Sequence, residues 1–352
     1  MTATIFPDAT LDRARSRWED RLWEPTPVES HGGRLYKRED YFAPLGYGGI
    51  NGAKLRQLVW IVDRYSSEHP DGGILTGASV LSPQVSMSAL VAAHYGLPCV
   101  VVLGGSKPET AIRHENVAIA AAAGASFAYT PVGYNPTLQR AVDEIGRRPF
   151  HDGWLRIHYG ITTAADADPV DVEAFHAVGA HQTANLPPLD TLVMTAGSCN
   201  SCVSVLYGIA RDRVPLRRVV LLGIGPTRLA WIHDRLGLIE KASGVEIRPL
   251  FRRIFHHAPG LAIDQDDDVG ASSSAPYVLE HWDLHATKFA SYGDRMPRTL
   301  DGIAMHPTYE GKAIAYMEQR RAEFEWFWNG DGVLFWIVGS APSLGAMRPA
   351  LQ

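Results

Sequence analysis

Cysteine is scarce in this chain, three in 352 residues. So sparse and odd a set cannot build a disulfide framework, and it fits a reducing compartment better than a secreted scaffold. Long apolar runs are lacking too: none approaches the ~18 residues of a membrane span. The opening MTATIFPDATLDRARSRWED lacks the basic-then-apolar pattern of a signal peptide. An excess of positive charge is also missing. Thirty-three Lys and Arg against 38 Asp and Glu leave a formal net charge of -5, which gives no overall pull toward nucleic acid or anionic lipid. What is present, 46% hydrophobic and 20% charged side chains, can bury a sizeable core in one large domain or two of roughly 100–200 residues. A cytoplasmic globular protein with no membrane partner is expected.

From about residue 55 onward, helical and strand patterns alternate. Leu55, Leu58, Val59, Val62 and Tyr65 fall at helical spacing and are followed by the short apolar ILTG at 74–77. A helix-like QVSMSALVAAHYG precedes PCVVVLGG, which reads as a buried strand because it is β-branched and closed by glycines. RHENVAIAAAAGA, a strand at 126–130, TLQRAVDEIGRR, WLRIHYG, DPVDVEAFHAVGAHQTA, DTLVMTAG, SVLYGIARD and RRVVLLGIG continue the alternation. The pattern predicts an α/β fold of mainly parallel sheets covered by helices. Regularity fails at about 250–300, which reads as a long excursion without a period. Asp264, Asp266 and Asp268 there have calcium-loop spacing, but Val269 and Ala275 stand where glycine and glutamate are required, which rejects that loop. Arg248, Arg252, Arg253, His256 and His257 form a modest basic cluster, read as solvated or phosphate-facing surface in preference to a nucleic-acid site. No internal repeat or low-complexity tract is visible.

Familiar sites are absent. There is no phosphate-loop motif ending in Gly-Lys-Ser/Thr, no HExxH, and GIGPTR at 223–228 lacks the third glycine of a dinucleotide fingerprint. Cys199 and Cys202 make a C-x-x-C between a strand and a helix, where a helix N-terminus favours thiolate. Thiol redox chemistry stays open there beside the plain reading of small residues at a tight turn. Zinc would need two more ligands, and none is expected. Gly197, Ser198, Asn200 and Ser201 in the same turn could cradle a phosphate on free N–H groups and the helix dipole. Lys54 lies just inside a helix that follows a glycine-rich turn. Such a lysine is ordinarily solvated, but partial burial beside a phosphate loop is what a pyridoxal phosphate Schiff base requires.

Four separated segments, spanning about Thr26 to Leu344, resemble the fold-type II pyridoxal phosphate enzymes, and within them the 1-aminocyclopropane-1-carboxylate deaminase and D-cysteine desulfhydrase group. TPVE at 26–29, LYKRED and AKLRQL are similar to the Schiff-base segment, with Lys54 as its lysine and Arg56 as the arginine that follows. Gly48-Gly49 are separated from Lys54 by Ile50-Asn51-Gly52-Ala53, a departure from the usual Gly-Gly-Asn. LSPQVSMSALVAAHYG resembles the Ser-Asn-Gln stretch, and implies that Ser82 and Gln84 bind a substrate carboxylate; Pro83 replaces the asparagine. GSCNS at 197–201 resembles a Gly-Ser-Gly-Gly-Thr phosphate cup, with Cys199 and Asn200 at glycine positions. HPTYEGKA followed by VLFWIVGSAPSL resembles the C-terminal signature. Here Glu310 would face the pyridine nitrogen and Tyr309 the substrate, while ASYGD places Tyr292 where deaminases have a second tyrosine. Ile337-Val338-Gly339-Ser340 stands where His-Thr-Gly-Gly is usual.

The resemblance implies a tryptophan synthase beta-like fold binding pyridoxal 5'-phosphate. A large discontinuous domain of 1–61 and 166–352 would carry an inserted small domain of 62–165. Cofactor residues would be Lys54, Gly197, Ser198, Cys199, Asn200, Ser201 and Glu310; Lys54, Tyr309 and Tyr292 would be catalytic. Deamination or elimination on a small amino acid is the expected reaction, in a homodimer. Pro83, Ile337 and Val338 alter the pocket, and so raise an amino acid carried on a larger molecule, such as a nucleotide or modified DNA base, as an alternative. A retired enzyme that only binds cofactor and a C-x-x-C redox protein also stay open.

Overall fold

The computed structural model describes residues 18–46, 50–133, 135–258, 261–264 and 275–341, with backbone alone at 18–20, 257–258 and 261–264. Expectations at Gly48, Gly49, Asp266, Asp268, Val269 and Leu344 lie outside the described residues. The chain divides into two compact units, one built on Ala43–Ala167 and one on Trp23–Phe42 with Asp168–Ser340.

In the first unit a four-stranded sheet runs in the order Ser126–Thr130, Cys99–Gly104, Ile74–Ser79, Leu155–Ile157, all parallel. CVVVLG is apolar throughout and ILTGAS is buried up to its last residue, because helices cover a parallel sheet on both faces. Helix Asn135–Gly146 is amphipathic and sets Leu138, Val142 and Ile145 against Leu75 and Val102. Helix Pro83–His94 is instead buried nearly all round. Ser82 caps it by accepting from the Gln84 N–H, and Pro83 occupies the first helical position, where a missing N–H costs nothing. Helix Ala53–Glu68 packs on it, and that contact keeps 43–61, Lys54 included, in this unit. The division expected from the sequence assigns 43–61 to the same domain as 166–352.

The second unit contains an eight-stranded sheet in the order Val28–His31, Arg34–Arg38, Val333–Ile337, Thr191–Ala196, Arg218–Gly223, Tyr277–Asp283, Phe251–Ala258, Leu261–Asp264. The strands from Arg34–Arg38 to Phe251–Ala258 are parallel, and each edge strand is antiparallel to its neighbour. Thr191–Ala196 and Val333–Ile337 are buried at every residue. A hairpin, Arg298–Leu300 with Ile303–Met305, stands apart from the sheet. The region 250–300 thus holds three sheet strands and not only an excursion. Their signal was obscured because the outward positions are Arg, His and Glu, and the strand Tyr277–Asp283 ends on consecutive buried residues instead of alternating.

Helices Pro169–Ala180 and Asn200–Asp212 pack closely. The Asp168 carboxylate accepts the Val170 N–H at 2.8 Å to start the first. Glycines set the approach of the pair. A Cβ at Gly179 would meet Ser204, and one at Gly208 would overlap the Ala180 carbonyl oxygen and the Thr183 hydroxyl. Gly208→Ala is therefore expected to lower stability by about 1–3 kcal/mol through overpacking. Denaturant unfolding monitored by tryptophan fluorescence checks this; an unchanged midpoint would show that the helix pair has slack.

Candidate active site

The fold places the expected residues at the C-terminal ends of strands and the starts of helices. In the first unit, Gly52 caps helix Ala53–Glu68 with φ 96° and ψ -177°, a conformation open to glycine alone, and Lys54 follows in the first turn, half-buried. Arg56 is fully buried and donates from Nη1 to the carbonyls of Arg21 and Leu22, at 3.1 and 2.5 Å. It anchors the helix start. Ser82 is 5% exposed and its oxygen accepts the Gln84 N–H. The Gln84 side chain donates to the Thr76 hydroxyl and the His158 carbonyl, at 2.9 and 3.0 Å, and accepts the Gly160 N–H at 2.8 Å. Gln84 is thus engaged in holding 158–160.

In the second unit the turn Gly197–Ser201 joins strand Thr191–Ala196 to helix Asn200–Asp212. First-turn N–H groups of such a helix have no partner within it. The hydroxyls of Ser198 and Ser201 are half-buried in that turn. Of the two residues at glycine positions, Cys199 carries the glycine conformation, with φ 70° and ψ 3°. Asn200 is already helical. The side chains of Cys199 and Cys202 are both buried, and the Cys202 thiol is pushed well up, first by its hydrogen bond with Cys199 and then by burial. A Cys202 thiol held protonated, in a turn where both cysteines are buried, opposes the redox reading. Cys99 is likewise buried and raised to about 12. Among the described residues no group of three or more His, Cys, Asp or Glu gathers as a metal ligand set.

Tyr309 and Glu310 begin helix Glu310–Gln319 beside the same turn: a Cβ on Gly197 would lie 3.7 Å from the Tyr309 ring and 3.6 Å from Ile224. Glu310 is 0% exposed. One of its oxygens accepts the Val338 N–H at 3.1 Å, and the other has no partner among the described residues. Burial pushes this carboxyl up to about 8, the N–H groups of Glu310 and Val338 pull part of the way back, and the charge of Asp40 adds to the rise. The Tyr292 and Tyr309 hydroxyls are 3.1 Å apart. Lys312, 1% exposed, holds the segment that carries Tyr292: its Nζ donates to the carbonyls of Ser291 and Tyr292 at 2.7 and 3.0 Å. Ile337 is buried in the same apolar cluster as Ile224, with Tyr309 packed against it.

An N–H-lined cup and a buried carboxyl with one vacant oxygen, adjacent at strand ends of one α/β unit, suit a phosphorylated cofactor whose ring nitrogen carries a proton. The donor set fits pyridoxal 5'-phosphate: the cup matches its phosphate, and the vacant Glu310 oxygen matches its ring N–H.

Comparison with known proteins agrees. No protein-family model matches the chain. The chain is 34% identical over 381 residues, covering 99% of itself and 89% of the relative, to the O-seryl-dTMP PLP-dependent decarboxylase of Salmonella phage ViI. It is 26% identical to the 1-aminocyclopropane-1-carboxylate deaminase of Burkholderia multivorans, over 92% of this chain and 94% of that one. It is 24% identical to the D-cysteine desulfhydrase of Salmonella choleraesuis, with the same coverage. The crystal structure of an ACC deaminase homologue shares the fold, with TM-score 0.63 and 16% identity over 90% of this chain and 89% of that one. The chain belongs to the fold-type II pyridoxal phosphate-dependent enzymes, as a divergent member beside the deaminase and desulfhydrase group. Its cofactor is pyridoxal 5'-phosphate.

Lys312 and the Val338 N–H escaped sequence reasoning. Lys312 lies inside HPTYEGKA but carried no role, and a backbone donor leaves no mark on a sequence. The state of Glu310 predicts a pH dependence. In the cofactor-free protein the folded carboxyl titrates near 8 against an ordinary value of 4.5, so folding favours the protonated form. Its contribution is full below about 4.5 and is lost as pH rises through about 8. Denaturant midpoints are expected to fall over that window, and Glu310→Gln to flatten the slope; an equally steep slope in the variant would contradict the assignment.

Proposed function

We propose that this enzyme decarboxylates an amino acid carried on a nucleotide. The observation that carries the reading is the 34% identity, over 99% of the chain, with a decarboxylase named for O-seryl-dTMP. Supporting it, Pro83 and Ile337-Val338 stand where the resembled group has polar residues, and Ile337 belongs to the apolar cluster that Tyr309 packs against. An apolar wall disfavours a carboxylate and favours dispersal of its charge as CO2 leaves.

When bound, pyridoxal 5'-phosphate supplies an electron sink for the carbanion left by bond cleavage. In this reading Lys54 would hold the aldehyde carbon of the cofactor and afterwards move a proton as a base. Gly197, Ser198, Cys199, Asn200 and Ser201 would hold its phosphate, and Glu310 would keep the ring nitrogen protonated. The hydroxyl of Ser82 would orient the substrate carboxylate, with Gln84 fixing the wall at 158–160. Tyr309, in contact with the Tyr292 hydroxyl, would deliver a proton to the carbon from which CO2 has left. A homodimer and a cytoplasmic setting belong to the same proposal.

The test is a product assay on purified holoenzyme with O-seryl-dTMP, 1-aminocyclopropane-1-carboxylate and D-cysteine. Loss of CO2 from the nucleotide substrate alone is expected. Lys54→Ala is expected to lose both turnover and the cofactor's protein-bound visible band, and Cys202→Ala to keep them. Release of ammonia from the small amino acids, with the nucleotide inert, would return the enzyme to the deaminase reading. No turnover of any substrate would favour a retired enzyme, and dependence on Cys202 but not Lys54 would favour redox chemistry.

A further inference from the structure

The two tyrosine hydroxyls that meet at 3.1 Å belong to rings held by unlike means. Tyr309 stands at the start of helix Glu310–Gln319, with its ring centre 4.6 Å from that of His306 and its side chain packed against the apolar cluster of the sheet. Tyr292 lies instead in a stretch, 290–297, that forms neither helix nor strand. Ser291 beside it is exposed and turns on Asp294, whose carboxylate accepts the Ser291 N–H at 2.7 Å and whose N–H donates to the Ser291 carbonyl at 3.2 Å. A local turn of this kind fixes its own shape but not its place on the protein.

The place is set by the first turn of helix Glu310–Gln319. The Met296 carbonyl passes so close to Gly311 that a Cβ there would overlap it, and the Met296 N–H bonds the Pro307 carbonyl at 2.9 Å. One residue further on, Lys312 is 1% exposed, donates to the Ser291 and Tyr292 carbonyls at 2.7 and 3.0 Å, and sets its Nζ 5.6 Å from the centre of the Tyr292 ring. Neither acceptor is a carboxylate. Burial pulls the Lys312 ammonium down, and the charge of Asp294 offsets this in part. An ammonium removed from water is stabilised only by what surrounds it, here two carbonyl oxygens and an aromatic ring. All three belong to residues 291–292, so the buried charge favours the one arrangement in which that segment is docked.

We propose that Lys312 is the positioning residue of the tyrosine pair, keeping the Tyr292 hydroxyl on that of Tyr309 and so maintaining proton delivery. This rests on the functional reading above, in which Tyr309 gives a proton to the carbon from which CO2 has left. In that step the Tyr309 O–H bond breaks, a C–H bond forms, and the electron pair stays on the Tyr309 oxygen. The Tyr292 hydroxyl is placed to donate a hydrogen bond to that oxygen as its charge develops. A drift of Tyr292 by about 1 Å would carry the contact out of bonding reach.

The test is a double-mutant cycle on the holoenzyme, Lys312→Met against Tyr292→Phe, run on whichever of O-seryl-dTMP, 1-aminocyclopropane-1-carboxylate and D-cysteine is turned over, with hydrogen exchange of the peptide spanning 289–296 measured in parallel. Lys312→Met is expected to lower kcat about tenfold or more with KM and the cofactor's visible band unchanged, and to change kcat by less than about twofold once Tyr292 is Phe. Exchange at 289–296 is expected to quicken about tenfold in Lys312→Met and to stay as in the wild type in Tyr292→Phe, whose carbonyl is still gripped. Lys312→Gln, which keeps an N–H donor without the charge, is expected to fall between wild type and Lys312→Met, and it replaces Lys312→Met in the cycle if that variant does not fold. Equal losses of kcat in both backgrounds, or unchanged exchange at 289–296, would overturn the proposal and leave the functional reading standing. Ammonia release from a small amino acid with the nucleotide inert would overturn the functional reading, and the cycle run on that substrate would still decide the role of Lys312. Turnover of none of the three would remove both.

Discussion

A carboxyl group without solvent and without a counter-charge is a costly thing to bury, and the second unit buries one at the end of its sheet. Glu310 keeps one oxygen on the Val338 N–H and leaves the other vacant. The first fixes helix Glu310–Gln319 to the end of strand Val333–Ile337. The second has no partner among the described residues, and burial favours the protonated form of the carboxyl. Binding a protonated ring would relieve a penalty already present in the fold, so cofactor affinity and protein stability are linked through the same atom.

The parallel sheet explains why such a group can be held in place. Thr191–Ala196, Arg218–Gly223 and Val333–Ile337 are buried and in register, so the turns leaving their carboxyl ends start from fixed points. The turn Gly197–Ser201, the segment that begins at Ile224 and the Val338 donor each leave one of those strands. Small errors in any of them would be damped by a sheet packed on both faces.

The fold was legible wherever the apolar period was clean, as in PCVVVLGG and DTLVMTAG. It was obscured at 250–300, where strands carry Arg, His and Glu on the outward positions. Motifs singled out Lys54, the GSCNS turn and TYEGK as candidates, and the structure sets Gly197, Tyr309, Glu310 and Tyr292 in one neighbourhood. Other features do not show in one-dimensional form. The saturation of Gln84 by Thr76, His158 and Gly160 depends on residues up to 76 positions away.

Lys312 grips Ser291 and Tyr292 by their carbonyls and not by their side chains. Every residue type offers the same carbonyl, so the placement of the backbone at 291–292 is independent of which side chains stand there. A side chain at 292 can therefore be exchanged without removing the two bonds that hold its segment, so the scaffold at this point tolerates changes of chemistry that it does not have to accommodate by moving.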